Sequence, residues 1–177
     1  METKKLTRSA LLIAAALALS YLERFLPLHL LIPLPGVKLG LANLVTVFAL
    51  YTLTPSNAFV ILVLRCVLGS LFGGLSGLAM SLTGGIQAFW TMALAKKLPW
   101  FSIYGVCILG AAAHNLGQVL AASVMMGSLY TFYYLPFLLV TALGTGFLTG
   151  TVCAYAFRTL VSGGKTQKKQ QGNQIRF

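Results

Sequence analysis

Of 177 residues, 58% are hydrophobic and 8% are charged, whereas a soluble globular domain carries about 25% charged residues. A soluble protein of this size has nowhere to hide so much apolar surface, so the composition describes an integral membrane protein. The net charge of +11 would suit a nucleic-acid binder. However, the basic residues gather at the chain ends and in one internal loop, where membrane topology puts them, and no nucleic-acid partner is expected.

Breaks in the apolar pattern predict an all-α, polytopic bundle of six transmembrane helices. The first covers residues 9–26 and stops at Pro27. Its basic start and Ala16-Leu17-Ala18 resemble a signal-peptide cleavage site, but the apolar pattern runs on through Tyr21 and Leu22, which favours a retained helix. A linker with Pro33, Pro35, Gly36 and Gly40 follows, stiff at its prolines and able to turn at its glycines. Lys38 is expected at the outer mouth of this linker, where it either attracts an anionic ligand or marks the headgroup boundary.

The second helix, residues 39–53, is short for a span and closes at Thr54-Pro55-Ser56-Asn57. The third covers 57–75, the fourth 78–95, the fifth 102–126 and the sixth 136–160. The transmembrane domain is thus residues 1–161. The Gly-, Gln- and Lys-rich tail, 162–177, reads as a disordered, basic cytoplasmic segment.

The basic residues support this threading. With six crossings, Lys4, Lys5, Arg8, Lys96, Lys97, Arg158, Lys165, Lys168, Lys169 and Arg176 share one face, and only Arg24 and Lys38 fall on the other. The asymmetry puts both termini in the cytoplasm of a bacterial inner-membrane protein. Cys66, Cys107 and Cys153 stand singly in apolar stretches. They have no metal-ligand spacing, so buried free thiols and no metal are expected.

Residues four apart share a helix face, and small ones let backbones approach. Such stripes occur at Ala10, Ala14 and Ala18, at Gly69, Gly73 and Gly77, and at Ala142, Gly146, Gly150 and Ala154. The last two read as packing within the bundle. The alanine stripe reads equally as packing or as a docking face for another membrane subunit.

Few polar groups lie inside the bundle. Arg65 is the one charged residue between positions 57 and 75, and a charge at bilayer depth faces a partner or a polar cavity rather than lipid. Gln87 and His114 come out near the midplane by helix rise, with Asn115 adjacent and Gln118 one turn on. Glu23 and Asn43 come out in the outer half. If these faces converge, Glu23, Lys38, Asn43, Arg65, Gln87, His114, Asn115 and Gln118 would line a small-molecule cavity open to the outside. Plainer roles stand beside this one: an Arg65–Glu23 ion pair, a cap at Asn43, a packing contact at Gln87, and an interhelical hydrogen bond at His114.

Four stretches carry a resemblance: Glu23-Arg24-Phe25, the 35–43 segment, the 65–74 run (RCVLGSLFGG), and His114-Asn115-x-x-Gln118. Together they resemble the Gx transporter family, also known as heptaprenyl diphosphate synthase component I, over residues 9–160. That family is in turn similar to the S components of energy-coupling factor transporters. Those are six-helix binding proteins that dock a transmembrane T component, driven by two ATPase subunits, through small residues on helix one. The resemblance implies an S-component-like bundle, with Ala10, Ala14 and Ala18 as the docking stripe. The second family name implies instead a membrane component serving a soluble prenyltransferase subunit.

The residues limit what the chain does alone. It contains no Asp, and Glu2 and Glu23 stand 21 positions apart, so it offers no paired carboxylates for magnesium–diphosphate. It has no phosphate-binding loop and no Ser/His/Asp set. No catalytic residue and no cofactor is therefore expected. The first reading is a substrate-binding subunit for uptake of a small molecule, and the alternative is a non-catalytic component I of a prenyl diphosphate synthase.

Overall fold

The computed structural model describes residues 2–25 and 40–163, which form helices joined by short turns, with no strand among them. Helix α1 (Glu2–Leu22) runs into a 3-10 turn, Glu23–Phe25. Helix α2 is Asn43–Thr52, α3 is Pro55–Ala95, α4 is Ile103–Met126, and α5 is Leu135–Gly163. The 27–38 linker, Lys38 with it, and residues 164–177 of the expected tail lie outside the described residues.

The helix ends follow their sequence signals. Thr54 caps α3 by accepting from the Asn57 N–H, with Pro55 in the first turn. Ser102 caps α4 by accepting from the Gly105 N–H, and Gly127 ends it in the left-handed conformation.

The expected third and fourth helices form one run, α3, and the break falls at Gly74 rather than after residue 75. Gly74 has φ 67° and ψ −172°, a combination essentially restricted to glycine. A Cβ there would meet nothing within 4 Å, so the requirement is conformational and not steric.

Three stretches are long and apolar enough to cross a membrane: Gly73–Ala95, Ile103–Met126 and Leu129–Thr159. Leu6–Leu22, Asn43–Thr52 and Pro55–Leu71 are shorter apolar helices. The ten residues of α2 rise about 15 Å, half of a hydrocarbon core of roughly 30 Å. Large apolar side chains such as Leu71, Leu75, Val124, Val140, Phe147 and Tyr155 are exposed along α3, α4 and α5, the surface that lipid would cover.

The core is built around α4, which packs against α3 on one side and α5 on the other, with Val45, Val47, Ala49 and Leu50 of α2 buried among them. Gly117 on α4 faces Gly84 on α3 so closely that a Cβ at Gly117 would stand 2.6 Å from the Gly84 Cα. On the other side of α4, Gly146 approaches the Ile108 Cα and Gly150 approaches Tyr104, while Ala142 and Ala154 are buried. The α5 stripe is therefore packing, as its spacing implies. The glycine stripe on α3 is only partly so: a Cβ at Gly69 would touch Leu17 of α1, whereas one at Gly77 would touch nothing. Ala10, Ala14 and Ala18 are all exposed, which puts that stripe on the outside of the bundle. Cys66, Cys107 and Cys153 are buried free thiols.

Candidate functional site

The Gly84–Gly117 crossing gathers the polar residues. One turn from Gly117 along α4, the His114 ring lies against Gly84, where a Cβ would come within 2.9 Å of Nδ1. The ring also abuts Gly40, at the entrance to α2, where a Cβ would crowd both His114 Cδ2 and Asn43 Nδ2. Gly40 itself has φ 82°, so glycine is needed there for conformation as well as for space. Gln118 Nε2 lies 3.0 Å from His114 Nε2, a hydrogen bond within one turn of α4.

Glu23, Asn43, Arg65, His114 and Gln118 are each no more than 5% exposed. Arg65 points into the bundle and donates from Nη2 to Asn43 Oδ1 at 3.0 Å. The Arg65–Glu23 ion pair, the plainer of the two roles open to Arg65, is not made. The Glu23 Oε1 instead accepts from the Leu41 N–H at 2.6 Å, tying the approach to α2 back to the end of α1. Asn43 does not cap α2 either: Ala42 holds the cap position without a side-chain hydrogen bond. Asn115 is buried but turned to α5, donating to the Leu138 carbonyl at 2.6 Å. Gln87 is half-buried and joins none of these hydrogen bonds. The structure thus brings together Glu23, Asn43, Arg65, His114 and Gln118, and leaves Asn115 and Gln87 apart from them.

Arg65 Nε, Asn43 Nδ2 and the hydroxyl of Thr46 are donors in this region that lack acceptors. Thr46 is fully buried three residues beyond Asn43 on the same face of α2. It is absent from the set read from sequence, because a threonine in an apolar helix usually bonds its own backbone. Among the described residues no group of three or more His, Cys, Asp or Glu is placed to hold a metal ion.

A second feature lies at the other end of α2. A cleft of about 850 Å³ opens between the α2–α3 turn and the end of α3, with Tyr51, Phe59, Phe89, Trp90 and Phe101 among its walls and Lys96 and Lys97 at its rim. Lys96 Nζ donates to the Leu50 carbonyl at 2.9 Å and stands 4.5 Å from the centre of the Tyr51 ring. It thereby satisfies a carbonyl at the negative end of the α2 dipole. The sequence signal for this cleft is the Lys96-Lys97 pair bracketed by Trp90 and Trp100, the mixture expected at a membrane boundary.

Burial pushes the Lys96 ammonium below its ordinary value of 10.5. The folded chain then holds this proton less tightly than the unfolded one. Its contribution to stability is present above 10.5 and is lost as pH falls from there through the lowered value. Thermal unfolding across the alkaline range should show the wild-type midpoint rising with pH relative to that of Lys96→Met.

A family model described as heptaprenyl diphosphate synthase component I matches residues 12–156. The chain belongs to that family. No curated protein and no solved structure matches it. The matched span takes in the whole buried polar cluster and every residue lining the cleft. It begins two residues after Ala10, at Leu12, and ends just before Phe157.

Proposed function

We propose that the chain is the non-catalytic membrane component of a prenyl diphosphate synthase. The observation that carries this reading is the family match over residues 12–156. It is supported by the acid inventory: with Glu2 and Glu23 as its only carboxylate side chains, the chain has no means of holding magnesium–diphosphate, so catalysis falls to a soluble, Asp-rich subunit. The apolar cleft rimmed by Lys96 and Lys97 is where the growing prenyl chain would be received, its tail against the aromatic wall and its diphosphate near the lysines. In this reading six helical segments cross a bacterial inner membrane, with both termini and the cleft on the cytoplasmic side.

The exposed Ala10, Ala14 and Ala18 stripe favours a second reading, an S-component-like subunit of an energy-coupling-factor uptake system. There the alanines would dock a T component with its ATPase subunits, and Glu23, Lys38, Asn43, Arg65, Gln87, His114, Asn115 and Gln118 would hold a small molecule taken from outside.

Affinity purification of the full chain from its native membrane separates the two. Recovery of a soluble Asp-rich prenyltransferase, with synthase activity that depends on both proteins, is the expected result. Recovery of an ATPase module instead, lost in Ala14→Leu without loss of folded protein, would replace the synthase reading with the transport one.

A further inference from the structure

Arg65 is a guanidinium almost wholly removed from solvent, and no carboxylate pairs with it among the described residues: its Nη2 bonds the neutral amide of Asn43, and its Nε–H bonds nothing. Beside it, Asn43 Nδ2 has no acceptor, and neither does the Thr46 hydroxyl on the same face of α2. Buried donors without acceptors are rare in proteins, and a buried charge without a counter-charge is costlier still. All the unmet groups named here can donate, and Glu23, the buried acid of the same cluster, is bonded to the Leu41 N–H rather than to the guanidinium. Gly85 lines the guanidinium at ordinary contact distance, a Cβ there standing 3.5 Å from Nη2, and its close approach is to Leu62.

We propose that Arg65, Asn43 and Thr46 form a binding site for an oxyanion, a carboxylate or phosphate group that accepts from Arg65 Nε and Asn43 Nδ2. A cation would be repelled from this site. A neutral acceptor would fill the hydrogen bonds but leave the guanidinium without a hydrogen-bonded counter-charge, whereas an oxyanion on Arg65 Nε supplies both. The site is separate from the cleft at Lys96, which lies at the opposite end of α2. It shares residues with the transport reading above and deepens it by naming the ligand class. The charge argument itself holds under either function, and the test uses the chain alone, so failure of a partner to co-purify does not bear on it.

The experiment is thermal unfolding of the full chain in nanodiscs of zwitterionic lipid. Acetate, inorganic phosphate and dodecyl phosphate are each titrated against chloride at matched ionic strength and pH. A saturable rise in the unfolding midpoint is expected. If acetate or inorganic phosphate produces it, the ligand is a free anion; if dodecyl phosphate alone does, the ligand is the head of an amphiphile.

Asn43→Asp is the deciding variant. It sets a carboxylate oxygen where the amide oxygen now lies 3.0 Å from Arg65 Nη2, so it supplies the missing counter-charge from within. This variant should fold at least as well as wild type and lose the anion response. Arg65→Lys keeps the charge but loses the planar donor pair, and should weaken the response about tenfold or more. Absence of a saturable rise with all three anions, or an undiminished rise in Asn43→Asp, would overturn the proposal.

Discussion

Gly117→Ala is expected to be among the most damaging single-methyl additions in this chain, costing about 3 kcal/mol, the upper end of the usual range for overpacking. The new Cβ would stand 2.6 Å from the Gly84 Cα, 2.8 Å from the Thr83 carbonyl oxygen and 2.9 Å from the Gly84 nitrogen. All three are backbone atoms of a helix, so relief requires moving α3 away from α4 as a body. A flexible side-chain end could swing aside, as the Met92 thioether facing Gly110 would; a backbone cannot. The displacement would also draw Gly84 off the His114 ring and disturb the His114–Gln118 hydrogen bond, so structural and site damage should appear together. Gly77→Ala is the control. A Cβ at Gly77 meets nothing within 4 Å, and alanine is favoured over glycine within a helix by roughly 1 kcal/mol, so that variant should unfold at or above the wild-type midpoint. Thermal unfolding of the two purified variants beside wild type measures the contrast, and equal midpoints would remove the close crossing as an explanation of the fold.

The sequence made helix boundaries legible where a local signal marks them. Thr54-Pro55, Ser102 and Gly127 act through their own side chain or backbone, and each marks a helix end in the structure. The α3 bend was harder to place, because Gly69, Gly73, Gly74 and Gly77 all look alike as letters; only the φ of Gly74 separates the bend from its neighbours. The convergence of Glu23, Asn43, Arg65, His114 and Gln118 was foreseeable from depth, since polar side chains in an apolar helix turn inward. Their pairing was not. Charge complementarity argues for Arg65 with Glu23, yet the backbone N–H of Leu41 takes the carboxylate and an amide takes the guanidinium. That outcome depends on how the chain returns to Gly40, a matter of tertiary path that no local pattern encodes. The cleft was missed for a related reason: its walls come from residues 50–60 and 89–101, apolar and aromatic positions that read as ordinary core until the two segments are placed side by side.

Replacing Arg65 tests whether its charge or its bulk matters, and the two obvious substitutions should behave in opposite ways. Arg65→Met leaves the Asn43 Oδ1 without its partner, a loss of about 1–3 kcal/mol. It also removes a buried guanidinium that no carboxylate pairs with, whose desolvation penalty is several kcal/mol. The terms oppose each other, so Arg65→Met should accumulate in the membrane with a midpoint near wild type. Arg65→Glu replaces the positive charge with a second buried acid in the region that holds Glu23, and its shorter side chain stops short of the Asn43 amide that Arg65 reaches. Two like charges in a low-dielectric interior cannot both stay ionised cheaply. Arg65→Glu should therefore fail to accumulate, and adding Glu23→Gln should restore part of the yield by removing one of the two acids. Membrane-fraction yield and unfolding midpoint of the three variants decide it. If Arg65→Met collapses as badly as Arg65→Glu, the guanidinium is paired in the folded membrane protein after all. If all three fold normally, the interior at Arg65 is wet enough to solvate either sign of charge.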